Sequence, residues 1–265
     1  RGFLELRRLD WSTPAEVLEK LIDYEAVHEI RGWTDLRRRL EPDRRCFSYF
    51  HPSLPGEPII FVEVALTEGM PASIHDVIDA PTTELSPAID TAVFYSITNC
   101  QSGLRGISFG SFLLKRVTAE LAAELPQVQT VATLSPMPGF ADWLDRELPD
   151  LDPTNGDELE RAAARYLLCA RRRGLPVDSV ARFHLRNGAR VERINIGGDL
   201  SDKGVRESNG VLVNYRYSGQ DLAANHDALI QDGLVIASPE VIRLAGSDAL
   251  PHLCTESPPG AATTP

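Results

Sequence analysis

Thr91 to Thr98 reads TAVFYSIT, residues 99–111 read NCQSGLRGISFGS, residues 112–125 read FLLKRVTAELAAEL, and Thr130 to Ser135 reads TVATLS. The first stretch is apolar and rich in β-branched residues, as a strand buried on both faces requires. Glycines punctuate the second as a turn. In the third, Leu113, Val117, Leu121 and Leu125 recur at helical spacing. The fourth is a strand again, closed by Pro136-Met137-Pro138-Gly139. The centre of the chain is thus strand, glycine loop, helix, strand.

Working outward, Pro58 to Thr67 (PIIFVEVALT) predicts another buried strand. The Pro-rich acidic stretch Glu68 to Asp90 predicts a loop with a short helix. Near the start, Thr13-Pro14-Ala15-Glu16 reads as a capping box with Pro at the first helical position, and Leu18, Leu21 and Ile22 supply the apolar stripe. A second helix near Trp33 to Leu40 stops at Pro42. Beyond the centre, residues 144–175 turn acidic and then basic around ELERAAARYLLCARRR, which reads as a helical insertion. Asp178 to Arg186 predicts a short helix ended by Asn187-Gly188. Ala189 to Ile196 and Gly210 to Tyr217 predict strands. The expected fold is α/β (α+β) over residues 1–254, with residues 255–265 a disordered low-complexity tail.

The chain has 265 residues and a net charge of −11. Its length lets it bury a large core without a metal or disulfide. The charge has the wrong sign for phosphate-driven nucleic-acid binding. No apolar run approaches the roughly 20 residues that span a bilayer. Arg1-Gly2-Phe3-Leu4-Glu5 lacks the apolar region of a signal peptide and an initiator Met, so the expectation is a fragment or processed chain. The four cysteines are widely separated, which predicts reduced thiols in a cytoplasmic setting. Metal-ligand spacing is absent, and Glu25-Ala26-Val27-His28 reads as a helix-surface pair.

Three places carry candidate chemistry. Arg105-Gly106-Ile107-Ser108-Phe109-Gly110-Ser111 is neither Walker A nor G-x-G-x-x-G. As a glycine loop before a helix it has the form of an anion cradle, or of an ordinary strand-to-helix connection. His184 falls in the last turn of a helix, where the dipole favours imidazolium and suits a proton donor; the alternative is a satisfied core or surface His. Ser135 ends a strand, where ligands collect in open α/β sheets, or it only caps a turn. Asn214, Tyr215 and Tyr217 could position an acyl group or hold His184, or pack as a half-buried edge strand. Arg171-Arg172-Arg173 reads as a solvated helix end, and Arg44-Arg45 as helpers of Arg105, Lys115 and Arg116 in holding an anion.

The spacing Arg-x-x-Ser-x-Gly resembles the pyrophosphate loop of GNAT acyltransferases, with Ser108 where that loop has its first Gly. Tyr24 to His28, Arg44 to Pro58, LSPMPGF (134–140), FHLRNGA (183–189), Arg193-Ile194-Asn195 and GVLVNYRY (210–217) follow in one order. Together they resemble the catalytic domain of malonyl-CoA decarboxylase over most of residues 1–245. The resemblance implies a GNAT-like mixed, mostly antiparallel sheet flanked by helices. It implies conversion of malonyl-CoA to acetyl-CoA and CO2 without metal or organic cofactor, since the thioester is itself the electron sink. It assigns Ser135 to orienting the malonyl carboxylate, His184 to protonating the enolate, and residues 105–111 to coenzyme A. It implies a homo-oligomer, built in the family with a preceding helical domain, which the fragment reading expects to be missing from this chain. Animal relatives end in a peroxisomal Ser-Lys-Leu; this chain ends Thr263-Thr264-Pro265, so that address is not expected, and thiol usage with the missing targeting signals makes a cytoplasm, bacterial by expectation, the default, though related enzymes also occur in mitochondria and peroxisomes. On the same scaffold a coenzyme A-dependent acyltransferase, a thioesterase or a non-catalytic acyl-CoA-binding module are the competing readings.

Overall fold

The computed structural model describes residues 3–82, 84–101, 103 and 109–246, apart from the Phe109 side chain. The chain divides into two compact units, Arg1–Leu134 and Ser135–Pro265. Both are mixed α/β, with mostly antiparallel strands flanked by helices.

Among the described residues, the first unit is built on five strands in the order β1 (Glu5–Leu9), β2 (Arg44–His51), β3 (Leu54–Thr67), β4 (Thr91–Asn99) and β5 (Thr130–Thr133). Neighbours are antiparallel except β4 and β5, which run parallel. A parallel pair needs a crossover, and α4 (Phe109–Glu124) supplies it. Leu113, Val117 and Leu121, the residues at helical spacing, are all buried. β4 is buried along almost its whole length, as its unbroken apolar run predicts.

α1 (Ala15–Tyr24) and α2 (Trp33–Arg39) cover a core of Val17, Leu18, Leu21, Leu36, Cys46, Phe50 and Phe61. The alternation along β2 sends Tyr49 the other way, where its ring stacks on Phe112 of α4 at 5.5 Å. α3 (Ile74–Ile78) is the short helix of the acidic loop.

Three expectations fail here for physical reasons. The capping box does not form: Thr13 Oγ1 accepts from the Asp10 N–H at 3.0 Å, and α1 starts at Ala15 with Pro14 at its N-cap and no side-chain cap. Glu25 and His28 are not a helix-surface pair, because α1 ends at Tyr24. The Glu25 carboxylate instead accepts from the N–H groups of Val27 and His28 and from the Ser96 and Thr98 hydroxyls, and His28 is buried. Arg44 and Arg45 do not form an anion-binding patch. Buried arginines need partners, and theirs are internal: Arg44 donates to the Val77 carbonyl, and Arg45 to Pro42 O and the Glu124 carboxylate.

The second unit centres on β10 (Leu212–Tyr217), paired antiparallel with β6 (Ser135–Pro136) on one side and β9 (Arg190–Asn195) on the other. Around these lie α5 (Phe140–Glu147), α6 (Gly156–Cys169), α7 (Ser179–Arg186), α8 (Asp202–Ser208), α9 (Leu222–Asp232) and α10 (Pro239–Ala245). A hairpin of β7 (Arg171–Arg172) and β8 (Leu175–Pro176) links α6 to α7. The stretch read as an insertion contributes Leu159, Ala162, Ala163, Tyr166 and Leu167 to the core. Arg171 is buried rather than solvated: its guanidinium donates to the Leu167, Leu168 and Ala170 carbonyls and so closes the C-terminus of α6. The tail, residues 255–265, lies outside the described residues.

Candidate active site

The run TVATLS is two strands rather than one. The Leu134 N–H still bonds to Phe94 O (3.0 Å), but Ser135 opens β6 and stands opposite Val213 of β10. Pro136 and Pro138 lack N–H donors, which limits the length of any ladder here. Ser135 is thereby fixed at the start of a two-residue strand.

His184 is on α7, whose N-cap is Asp178. The Asp178 side chain accepts from the Val180 and Ala181 N–H groups at 2.9 and 2.8 Å. The helix ends at Asn187, and Gly188 takes a left-handed φ of 84°. The His184 carbonyl accepts from the N–H groups of Asn187 (3.0 Å) and Ala189 (3.2 Å).

Two hydrogen bonds hold the imidazole. Nε2 lies 3.2 Å from Ser135 Oγ, and Nδ1 lies 2.8 Å from the Tyr217 hydroxyl. The Tyr215 ring stacks on it at 4.7 Å with 22° between planes, and Phe183 meets it edge-on at 5.0 Å. Ser135, 49 residues earlier in the chain, and Tyr217, 33 later, thus meet on one ring.

The expectation of imidazolium does not survive this environment. Burial removes the solvation a cation needs, and the His184 pKa falls to about 3. The dipole effect is worth about 0.3–1 kcal/mol at exposed helix ends, whereas this ring is 4% exposed. Desolvation wins, and His184 is neutral. Burial also raises the Tyr217 pKa, so its hydroxyl keeps its proton. If the Tyr217 O–H donates to Nδ1, the proton of the neutral ring sits on Nε2 and points at Ser135 Oγ.

A stability prediction follows. An unfolded His titrates near 6.5, so below that pH the unfolded chain takes up a proton that folded His184 refuses. The contribution is fully present above pH 6.5 and is lost as pH falls toward 3. Urea denaturation at pH 7 and pH 4.5 is expected to show a larger acid loss for the wild type than for His184→Asn. Equal losses would contradict the buried neutral ring.

The other candidates are placed unevenly. Asn214 is buried, and its Oδ1 accepts from Asn195 Nδ2 (2.9 Å) and Arg193 Nε (3.1 Å). Asn214 and Tyr215 are wholly buried and Tyr217 nearly so, and β10 has strands on both sides. The half-buried edge-strand reading is therefore corrected. Arg105, Gly106, Ile107 and Ser108 lie outside the described residues, as does the Phe109 side chain; Gly110 and Ser111 lie in the first turn of α4. Among the described residues no group of three His, Cys, Asp or Glu side chains could hold a metal, and no helix is long and apolar enough to cross a membrane.

The β4–α4–β5 crossover and the strands carrying Ser135 and Tyr217 have a GNAT-like fold. The loading GNATL domain of CurA from Lyngbya majuscula shares the fold with a TM-score of 0.56 at 18% identity, over 82% of this chain and 98% of that one. Within that class, the chain belongs to the malonyl-CoA decarboxylase family: the model of its C-terminal domain matches residues 2–156 and 153–253. The malonyl-CoA decarboxylase structure from Agrobacterium vitis superposes with a TM-score of 0.86 at 48% identity, over 93% of this chain and 68% of that one. The mitochondrial malonyl-CoA decarboxylase of Anser anser anser is 37% identical over 289 residues, covering 91% of this chain. The chain spans 57% of that protein's length.

Proposed function

We propose that this chain decarboxylates malonyl-CoA to acetyl-CoA and CO2. The observation that carries the reading is the hydrogen bond between Ser135 Oγ and His184 Nε2, backed by Tyr217; family membership supplies the substrate.

Cleaving the bond to the carboxylate pushes an electron pair into the thioester carbonyl and leaves an enolate. The carboxylate must be held so that this bond is aligned, and the enolate carbon must then receive a proton. With the Tyr217 O–H on Nδ1 and Nε2–H on Ser135 Oγ, the Ser135 proton is directed onward, to the malonyl carboxylate. Ser135 orients the group that leaves as CO2. His184 then delivers the Nε2 proton to the α-carbon, and a proton from solvent, which the overall reaction consumes, returns the ring to its Nε2–H form while the Tyr217 hydroxyl stays on Nδ1. A thioester enolate is a strong base, so a neutral imidazole N–H is acid enough for it. A buried cation beside the substrate would instead hold the carboxylate and oppose its loss as neutral CO2.

Residues Arg105 to Ser111 are assigned to the coenzyme A pyrophosphate, next to the positive end of the 16-residue helix α4. Arg105, with Lys115 and Arg116 of α4, is assigned to neutralising the same anion. The thioester accepts the electrons, so the reading calls for no metal and no organic cofactor. A homo-oligomer in a bacterial cytoplasm completes the proposal, with neither nucleic acid nor membrane as partner.

Incubation with malonyl-CoA alone, with products identified by mass, tests it. Acetyl-CoA and CO2 are expected. Free coenzyme A would mean a thioesterase, and turnover only with an added amine or alcohol would mean an acyltransferase. Binding without turnover would mean an acyl-CoA-binding module.

A further inference from the structure

We propose that Asp178 is a positioning residue for the Ser135–His184 pair, tying the segment that carries Ser135 to the helix that carries His184. The inference rests on the decarboxylase reading for its activity readout and on geometry for the rest.

Asp178 is 3% exposed and divides its two carboxylate oxygens between two tasks. Oδ1 caps α7, taking the Val180 and Ala181 N–H groups. Oδ2 turns away from the helix and accepts from the Tyr166 hydroxyl at 3.3 Å and the Gly139 N–H at 3.5 Å. A helix cap needs only the first oxygen, and a Ser or Asn would supply it. The second is committed to another part of the chain.

That part is the Ser135 segment. Gly139 follows Ser135 across Pro136-Met137-Pro138, two prolines with φ fixed. The Met137 N–H is held by Ser208 Oγ at 3.1 Å. Such a stiff segment transmits to Ser135 whatever is done to Gly139. Tyr166 comes from α6 and packs on Phe140 (5.4 Å) and Trp143 (5.1 Å) of α5. A Cβ at Gly139 would stand 2.8 Å from the Tyr166 hydroxyl oxygen, so glycine is what allows the three groups to meet.

The carboxylate is therefore a buried junction with four donors and no cation among them. Burial pushes its pKa up, and the Ala181, Gly139, Val180 and Tyr166 hydrogen bonds pull against that. Its leverage is geometric. The Ser135–His184 contact of 3.2 Å depends on two arms of chain, and an error of about 1 Å in such a placement costs on the order of 10²-fold in rate.

Asp178→Ser separates the two tasks, since Ser caps a helix but cannot reach Gly139 and Tyr166. For this variant we expect kcat for malonyl-CoA to fall about 10- to 100-fold, with KM changed less than about threefold. Tyr166→Phe keeps the ring stacking and removes one donor; a fall of about three- to tenfold in kcat is expected. A second readout needs no substrate. In ¹⁵N-histidine NMR spectra, wild-type His184 should stay neutral at pH 5, while in Asp178→Ser it should titrate closer to 6.5 as the ring loosens and meets water.

Unchanged kcat in both variants together with a neutral His184 at pH 5 would overturn the proposal, whatever the melting temperature does, and leave Asp178 a plain cap. If the wild type makes no acetyl-CoA, the decarboxylase reading falls and the NMR comparison alone decides the positioning role. Should Asp178→Ser not fold, Tyr166→Phe decides by the same two measurements.

Discussion

Ser135→Ala and His184→Asn, each purified as a folded protein, are expected to lose about 10²–10³ of their CO2 release from malonyl-CoA. Removing one well-placed donor to a developing charge typically costs that much. Alanine at 135 deletes the acceptor for Nε2–H and the hydroxyl assigned to the carboxylate. Asparagine at 184 is too short to span Ser135 and Tyr217, which lie on opposite edges of the ring. Neither change lies in the segment proposed to hold coenzyme A, so affinity for acetyl-CoA should hold within a few-fold. The two residues act in one chain of hydrogen bonds, so their losses should not multiply. The double variant is expected to be little worse than the poorer single one. The check is CO2 release with acetyl-CoA binding measured in parallel. Near-normal release from either folded variant would remove that residue from the mechanism. Multiplicative losses would mean that the two work separately.

The pairing of these residues was legible only in part. The strand at Thr91 to Thr98 shows itself through an unbroken apolar run, and α4 through the spacing of Leu113, Val117 and Leu121, because both patterns reflect burial of whole faces. Ser135 and His184 stood out through motifs, and Tyr217 through an unusual NYRY. Their protonation states did not. A local view sees His184 at a helix end and assigns it the dipole's preference; what decides its charge is Tyr215 stacked against it and burial on every side.

The same blindness explains the arginines. A run such as Arg44-Arg45 or Arg171-Arg172-Arg173 looks like free positive charge, yet Arg45 meets Glu124, 79 residues away, and Arg171 turns back on the end of the preceding helix, α6. Nor does sequence show a strand break at Leu134, because TVATLS keeps its strand-like composition across it. Asp178 was visible as a helix start, whereas its second oxygen serves Gly139, 39 residues earlier, a contact no periodicity encodes.

Gly188→Ala is expected to be the most damaging small change to the second unit. Gly188 ends α7 with φ of 84°, a region that costs an alanine about 1–2 kcal/mol. Space is the larger obstacle. A Cβ there would stand 2.1 Å from Leu222 O and 2.7 Å from Leu222 Cα, at the first residue of α9. Those are backbone atoms, so no rotamer change relieves the clash, and α7 and α9 must separate. Forced overpacking typically adds about 1–3 kcal/mol, and the Asn225 Nδ2 bond to Gly188 O (3.0 Å) is strained with it. A total of about 2–5 kcal/mol corresponds to a fall in Tm of roughly 4–20 °C, at about 2–4 °C per kcal/mol for chains of this order. Gly233→Ala is the control. It also follows a helix, α9, with φ of 66°, but its Cβ would meet only Gly174 O, at an ordinary 3.7 Å. Strain without a clash should cost about 1–2 kcal/mol and a few degrees. Thermal melts of the two variants side by side separate the terms. Equal small shifts would mean that α9 yields easily at Leu222, and the helix carrying His184 would then be less firmly held than the rest of the site requires.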